Sequence, residues 1–333
     1  MKREQAYCGL SMTTEKGITD KKINEIPIAV IDFETTGLSA GYDRVVEISI
    51  FKKEPGKKAY LAFDTLINPL RPVSAKEIHG ITDNDVKNAP TFNDIAGNFV
   101  DVLSGCAIAA YNVYFDIKFL EFELRQSGIE FVPPHFCLMY MRPLLGLGER
   151  CNLETACQEH GINFNYQSAH MAASDAEASA KLMEYYLKII SDKKIYTFGE
   201  LASLKSYKFM NSFGYAPLPK AELFHLKKSE KYLSRANYKT VVCDSERQAI
   251  NEYWDALRTV LADLDITEQE LQYVLDIRRK IQLPKEKIRM LHAKIFASGI
   301  SQFISDQNFD DKEVSKLGKL FKCLSKLGWA PGE

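Results

Sequence analysis

Five residues in three separate stretches of the 333-residue chain carry groups suited to hard-metal and acid–base chemistry: Asp32 and Glu34, then Asp116, then His170 and Asp175. Side chains alternate along a strand, so Asp32 and Glu34 project to one face and the intervening Phe33 to the other. Two acids side by side at the end of a buried strand repel each other, and a divalent cation removes that cost while gaining oxygen ligands. His170 stands five residues before Asp175, and an imidazole whose unperturbed pKa is about 6.5 suits proton removal near neutrality. Each residue also has an ordinary explanation. A D-x-E pair arises by chance in most proteins. Asp116 and Asp175 fall at the starts of predicted helices, where aspartate caps or complements the first turn. A lone histidine is more often a surface or core residue than a catalyst.

The elements that would position these groups are readable from periodicity. Ile26-Pro27-Ile28-Ala29-Val30-Ile31 is short, apolar and rich in β-branched residues, which predicts a buried strand ending at Asp32. Pro27 fits at the start of that strand, where no ladder donor is needed. Thr35-Thr36-Gly37 follows as a polar turn. Further strands are predicted over 44–53, 60–67 and 106–110, with short helices over 74–104. Phe115, Phe119, Leu120 and Leu124 have helical spacing within 114–126, and Gly128 supplies a stop. Helices are also predicted over 152–160, before Gly161, and over 174–190. Strands first, then strand and helix alternating, predict a mixed α/β sheet with helices packed on it. After about residue 192 strand-like runs become rare and helical patterns dominate, which places a boundary near 192–200.

Three segments in order carry a family resemblance: Asp32-Phe33-Glu34-Thr35-Thr36-Gly37, then Asn112-Val113-Tyr114-Phe115-Asp116-Ile117-Lys118-Phe119-Leu120, then His170-x4-Asp175. They resemble the three motifs of the DnaQ-like, or DEDDh, 3′→5′ exonucleases. Ile78-His79-Gly80-Ile81-Thr82 and Asn152-Leu153 also look like that family's segments, and the likeness covers roughly residues 26–192. It implies a ribonuclease H-like mixed sheet flanked by helices. It further implies that Asp32, Glu34, Asp116 and Asp175 bind two Mg²⁺ or Mn²⁺ ions, with Asp32 bridging them, and that His170 is the general base. Such an enzyme hydrolyses DNA or RNA from the 3′ end to 5′-mononucleotides. By the same resemblance Thr35, Thr36 and Leu38 line the terminal nucleotide, His79 lies nearby and Asn112 helps position the site. The ordinary alternatives stay open: the threonines close a turn and Leu38 is core. Two departures stand out. Tyr111 occupies a position where many members have His, and Phe136-Cys137-Leu138 lacks an Asp often found in relatives. A catalytically idle nucleic-acid-binding or scaffold protein on the same fold is the competing reading, opposed by the complete set of four acids and His170.

The remaining sequence bounds the setting. The net charge of −1 hides an asymmetry: residues 1–190 hold 19 basic and 25 acidic side chains, and the remaining 24 of 43 basic and 19 of 44 acidic ones lie beyond. An acidic half suits a carboxylate-rich metal site and a basic half suits a polyanion. Residues 201–240 interleave Lys205, Lys208, Lys220, Lys227, Lys228, Lys231, Arg235 and Lys239 with seven aromatics, including Tyr207, Phe209, Phe213, Tyr232 and Tyr238. This segment either guides a single strand, with bases stacking on aromatics, or is a solvated basic face with its aromatics packed inward. Two stretches beginning at Asp263 and Asp306 form an internal repeat, each with a capping residue (Thr267, Asp310) three positions before an acid. They resemble TerB-like helical domains over roughly 244–328, which implies a module for a protein partner or self-association and no reaction. The expected organisation is therefore a flexible leader (1–25), an exonuclease domain (26–192), a basic aromatic connecting segment (193–243) and a mainly helical module (244–333). Seven cysteines, an odd number with no CxxC pair, read as reduced thiols. With no apolar run long enough for a signal or membrane span, the expected location is cytoplasmic.

Overall fold

The structure is a computed structural model that describes residues 16–164, 170–235, 245–261, 264, 266–305 and 311–330. Five strands form one mixed sheet: β1 (Ile28–Thr35), β2 (Val45–Lys53), β3 (Tyr60–Leu66), β4 (Ala107–Ala110) and β5 (His135–Cys137). Their order across the sheet is β3-β2-β1-β4-β5, with β1 antiparallel to β2 and parallel to β4. β1 is thus central, and its carboxyl end lies where the sheet changes from antiparallel to parallel neighbours. Ile28, Ala29, Val30 and Ile31 are fully buried, as a strand covered on both faces requires. β1 continues past Asp32, because Asp32 and Glu34 still pair with Ser49 and Glu47 of β2, and a bulge follows between Glu34 and Thr35. A charged side chain does not prevent its backbone from joining a ladder. The strand therefore ends at the bulge, three residues beyond the predicted stop.

Between β3 and β4 lie α1 (Lys76–His79), α2 (Asp83–Val86) and α3 (Phe92–Leu103). α4 (Val113–Gln126) follows β4, and α5 (Leu138–Leu145), α6 (Leu153–Glu159) and α7 (Ala172–Asp192) follow β5. Gly128, at φ 84°, takes the left-handed backbone that stops α4. The fold is the ribonuclease H-like mixed sheet with flanking helices.

Two segments expected to lie outside the exonuclease domain pack on its core. Ile18 and Ile23 are buried in the main core, and the Ile18 and Thr19 amides donate to the Phe213 carbonyl at 2.7 and 3.0 Å. Residues 16–25 of the expected leader thus join the fold, since their two isoleucines cover apolar surface from later in the chain. Residues 1–15 lie outside the described residues. The expected connecting segment joins the same core through α8 (Phe198–Leu204) and 3-10 turns at Lys208–Gly214 and Ala221–Phe224, which bury Phe198, Leu201, Phe209, Met210, Phe213 and Leu218. The change of composition near 192–200 is therefore not a break between cores.

The break comes later. α9 (Ser245–Val260), α10 (Glu268–Ile281), α11 (Lys285–Ser305) and α12 (Asp311–Lys326) pack around a second core of Ile250, Tyr253, Trp254, Leu257, Leu291 and Leu324. Thr267 and Glu270 form the expected capping box at the start of α10. Asp263, Asp306 and Asp310 of the repeat lie outside the described residues.

Candidate active site

The central strand presents Asp32 and Glu34 to a cavity of about 60 Å³. Phe33 points the other way, its ring 6.2 Å from that of Phe99 on α3. α4 starts directly after β4, so Asp116 in its first turn reaches the same cavity and accepts the Phe33 amide proton at 3.2 Å. α7 brings the third group. His170 has φ 60°, unusual for a residue other than glycine, and this turn directs its own amide onto Asp175 Oδ2 at 3.0 Å. Asp32, Glu34, Asp116, His170 and Asp175 all line the one cavity. Ligating atoms of Glu34, His170 and Asp175 lie within 4.8 Å of one another, while Asp32 and Asp116 line the same space outside that trio.

The electrostatics follow from burial and from four like charges. Burial raises the Asp32 carboxyl well above the usual range, and Asp175, Asp116 and Glu34 each raise it further. Burial pushes Glu34 up to about 8 against the counter-pull of His170, and Asp116 up to about 7 against that of Arg258. Asp175 is pushed up to about 6 by burial, with His170 opposing. For His170, burial alone would lower the pKa, but pairing with Asp255, then Asp175 and Glu34, outweighs it and raises the imidazole to about 9. Asp255 of α9 lies 3.4 Å from His170 Nε2 and holds the protonated form.

This donor set fits hard cations. It offers four carboxylates, Glu34 and Asp116 buried and Asp32 and Asp175 half-buried, and an imidazole, with no thiol among the described lining residues, and Asp175 Oδ1 is buried with no hydrogen-bond partner among them. Asn112 also lines the cavity, and its buried Oδ1 is likewise without a partner among the described residues.

The other expected substrate contacts do not line the cavity in this structure. Thr35 Oγ1 donates to the Gly37 carbonyl at 2.5 Å and Thr36 Oγ1 to Asp43 at 2.9 Å, so both hydroxyls close the turn. Leu38 packs against the helical core of α9–α12. His79 is buried; its Nε2 faces the Thr35 carbonyl at 3.2 Å and its Nδ1 accepts the Ile81 amide proton at 3.0 Å. Burial first, and then the charge of Arg235, lower its pKa to about 3, so it is a neutral latch on the end of β1.

The structure adds groups that the sequence did not single out. Glu47 sits opposite Glu34 in the β1–β2 register, pairs with Arg235 at 3.2 Å and accepts the Ala172 amide proton at 3.1 Å. It thereby holds the N-terminus of α7 beside the acids. Its signal was present as a charge within the otherwise apolar run Val45-Val46-Glu47-Ile48. Asp255, Arg258 and Thr259 enter the cavity from α9, on a helix whose sequence shows only ordinary amphipathic spacing.

Comparison with known proteins places this geometry. Residues 29–183 match the RNase_T family, described as exonuclease. They form an exonuclease-family domain, DnaQ-like in its motifs. Over 325 residues the chain is 27% identical to a DNA polymerase III PolC-type of Streptococcus thermophilus, covering 93% of this chain and 22% of that protein. It is 29% identical over 190 residues to a DNA polymerase III subunit epsilon-like protein of Rhodobacter capsulatus, covering 56% of this chain and 27% of that one. The chain thus spans less than a third of the length of these relatives. Among solved structures, exonuclease X in complex with 5′-overhanging duplex DNA aligns at a TM-score of 0.42 and 23% identity, over 53% of this chain and 98% of that one. No described helix is long and apolar enough to cross a membrane.

Proposed function

We propose that the exonuclease-family domain is a 3′→5′ exonuclease that releases 5′-mononucleotides from DNA or RNA. The observation that carries this reading is the convergence of Asp32, Glu34, Asp116 and Asp175, from one strand and two helices, on a single cavity beside His170. These four acids would hold two Mg²⁺ or Mn²⁺ ions, which when bound would neutralise phosphate charge and acidify water. The protein's own contribution is to keep the acids converged on one small cavity, where repulsion among them raises their affinity for cations. His170 holds a proton as long as carboxylates surround it. Neutralisation of Glu34 and Asp175 would remove two of the groups that raise its pKa, with Asp255 the larger one that stays. Asn112 offers an unspent amide oxygen to a substrate hydroxyl.

The test is release of mononucleotides from oligonucleotides labelled at either end, in Mg²⁺ and in EDTA. Wild-type protein is expected to shorten single strands from the 3′ end only in Mg²⁺, and Asp32→Ala to lose at least about a thousandfold in rate. Full activity in contaminant-free Asp32→Ala protein, or shortening from the 5′ end, would overturn the reading.

A further inference from the structure

The acid cavity has a wall that residues 29–183 do not supply. α9 lies across it and is fixed to the exonuclease domain: Arg247 donates from Nη2 and Nε to the Ile78 carbonyl at 2.9 and 3.2 Å, and Asn251 Nδ2 to the same oxygen at 3.3 Å. Further along this helix, Asp255, Arg258 and Thr259 stand at i, i+3 and i+4, so they share the face turned to the cavity. The Arg258 guanidinium is seated over the Phe115 ring at 4.1 Å from its centroid, one residue before Asp116. Among the described residues lining the cavity, Arg258 is the one arginine or lysine.

A phosphodiester entering a pocket of carboxylates meets repulsion on every side that a cation does not cover, and its charge grows in the transition state. A planar guanidinium, held in place by stacking and with its fork free of a direct ion pair among the described residues, matches the non-bridging oxygens of a phosphate in two parallel hydrogen bonds. We propose that Arg258 is a substrate-contacting residue of the exonuclease, supplied to the active site in cis by the helical module, and that it binds the phosphate being cleaved. The inference rests on the nuclease reading above. It gives α9 a part in the reaction and makes residues 245–260 part of the active site. Arg258 is partly exposed and belongs to none of the hydrophobic cores, so its replacement is expected to leave the fold standing.

The experiment uses the full chain with Arg258→Ala and Arg258→Lys. Steady-state release from a 3′-labelled thymidine decamer in Mg²⁺ is expected to fall about a hundredfold in kcat for Arg258→Ala, with Arg258→Lys between it and wild type. Free guanidinium at millimolar concentration is expected to restore part of the Arg258→Ala rate and to leave wild type unchanged, a response that a merely structural arginine would not give. Fluorescence anisotropy of the same decamer in metal-free buffer is expected to show weaker binding by the alanine variant, by about tenfold. Unaltered kinetics and binding in Arg258→Ala would overturn the proposal. So would faster cleavage, which would mean that the guanidinium plugs the cavity. If wild-type protein releases no nucleotide, the nuclease reading fails, and the anisotropy measurement still decides whether Arg258 meets the phosphate.

Discussion

At the scale of residues, the site is a store of unfavourable electrostatics. Asp32, Glu34, Asp116 and Asp175 were singled out in the sequence because their three segments, each weak alone, together resemble the exonuclease motifs. Glu47 and Arg258 were not, because their roles depend on which strand pairs with Glu34 and which helix crosses the cavity. The cost of gathering the acids predicts how the protein responds to pH. Glu34 at about 8, Glu47 at about 7, Asp116 at about 7 and Asp175 at about 6 all titrate above the carboxylate value of an unfolded chain. The folded state therefore binds more protons than the unfolded one from roughly pH 4.5 upward, and stability is lost as pH rises through these folded values. His170 acts in the same direction: its contribution is complete below about pH 6.5 and is lost as pH rises through about 9. His79, lowered to about 3, acts oppositely, contributing above about pH 6.5 and losing that contribution as pH falls through its folded value. In EDTA the melting temperature is expected to fall by roughly 5 °C or more between about pH 6 and pH 9. Millimolar Mg²⁺, if it is held by the ionised acids of the folded state as proposed, is expected to flatten that slope. Differential scanning fluorimetry across the range measures both, and parallel curves with and without Mg²⁺ would contradict the metal assignment.

Elements were read more reliably than their ends. The β-branched run of β1, the 3.6-residue spacing in α4 and the long α7 all appear where the pattern puts them, since each is an apolar face with one core to meet. What the pattern does not contain is the contact between elements, and α10 shows the difference. The Thr267–Glu270 capping box is a local device and was visible as spacing, whereas the same Glu270 also takes Arg150 of the exonuclease domain as an ion-pair partner, with both side chains under 10% exposed. Arg150 in turn stacks on Tyr140 at 4.8 Å and donates to its hydroxyl. Thr267→Ala removes only the cap and is expected to cost about 1 kcal/mol. Glu270→Ala removes the cap's return bond and takes the carboxylate from a buried guanidinium, and is expected to cost about 3–5 kcal/mol. Urea denaturation of both variants gives the comparison. Equal losses would mean that Arg150 finds water on its own and that this pair does not bind α10 to the sheet.

At the scale of the whole molecule, composition misplaced the join between the two parts. Phe198, Tyr207, Phe209, Phe213 and Phe224 pack in or against the first core, so a change in sequence character marked the end of α7 and not the end of the packed unit. The same packing bears on the two readings of the basic segment, chiefly through where its lysines lie. Phe209 and Phe213 are buried, whereas Tyr215 is 50% exposed and Tyr232, edge-on against Phe63 with centroids 5.5 Å apart, is 43% exposed; Tyr238 lies outside the described residues. Lys227 and Lys228 follow α3: the Gly97 amide donates to the Lys227 carbonyl at 2.8 Å and Lys228 pairs with Asp101 at 2.6 Å. α3 covers the face of β1 that carries Phe33, and Asp32 and Glu34 open on the other face. A strand led along these lysines would arrive behind the sheet. The double variant Lys227→Glu, Lys228→Glu is therefore expected to keep cleavage of a single-stranded oligonucleotide within about twofold of wild type and to leave its salt dependence unchanged, whereas a lysine that did neutralise a phosphate of a single strand would, once removed, lower the log–log slope by about 0.7. Measuring kcat/KM across a salt series reads this directly. A slope reduced by about 0.7 or more would mean that the substrate wraps around the edge of the sheet to reach α3 before its end turns into the acid cavity.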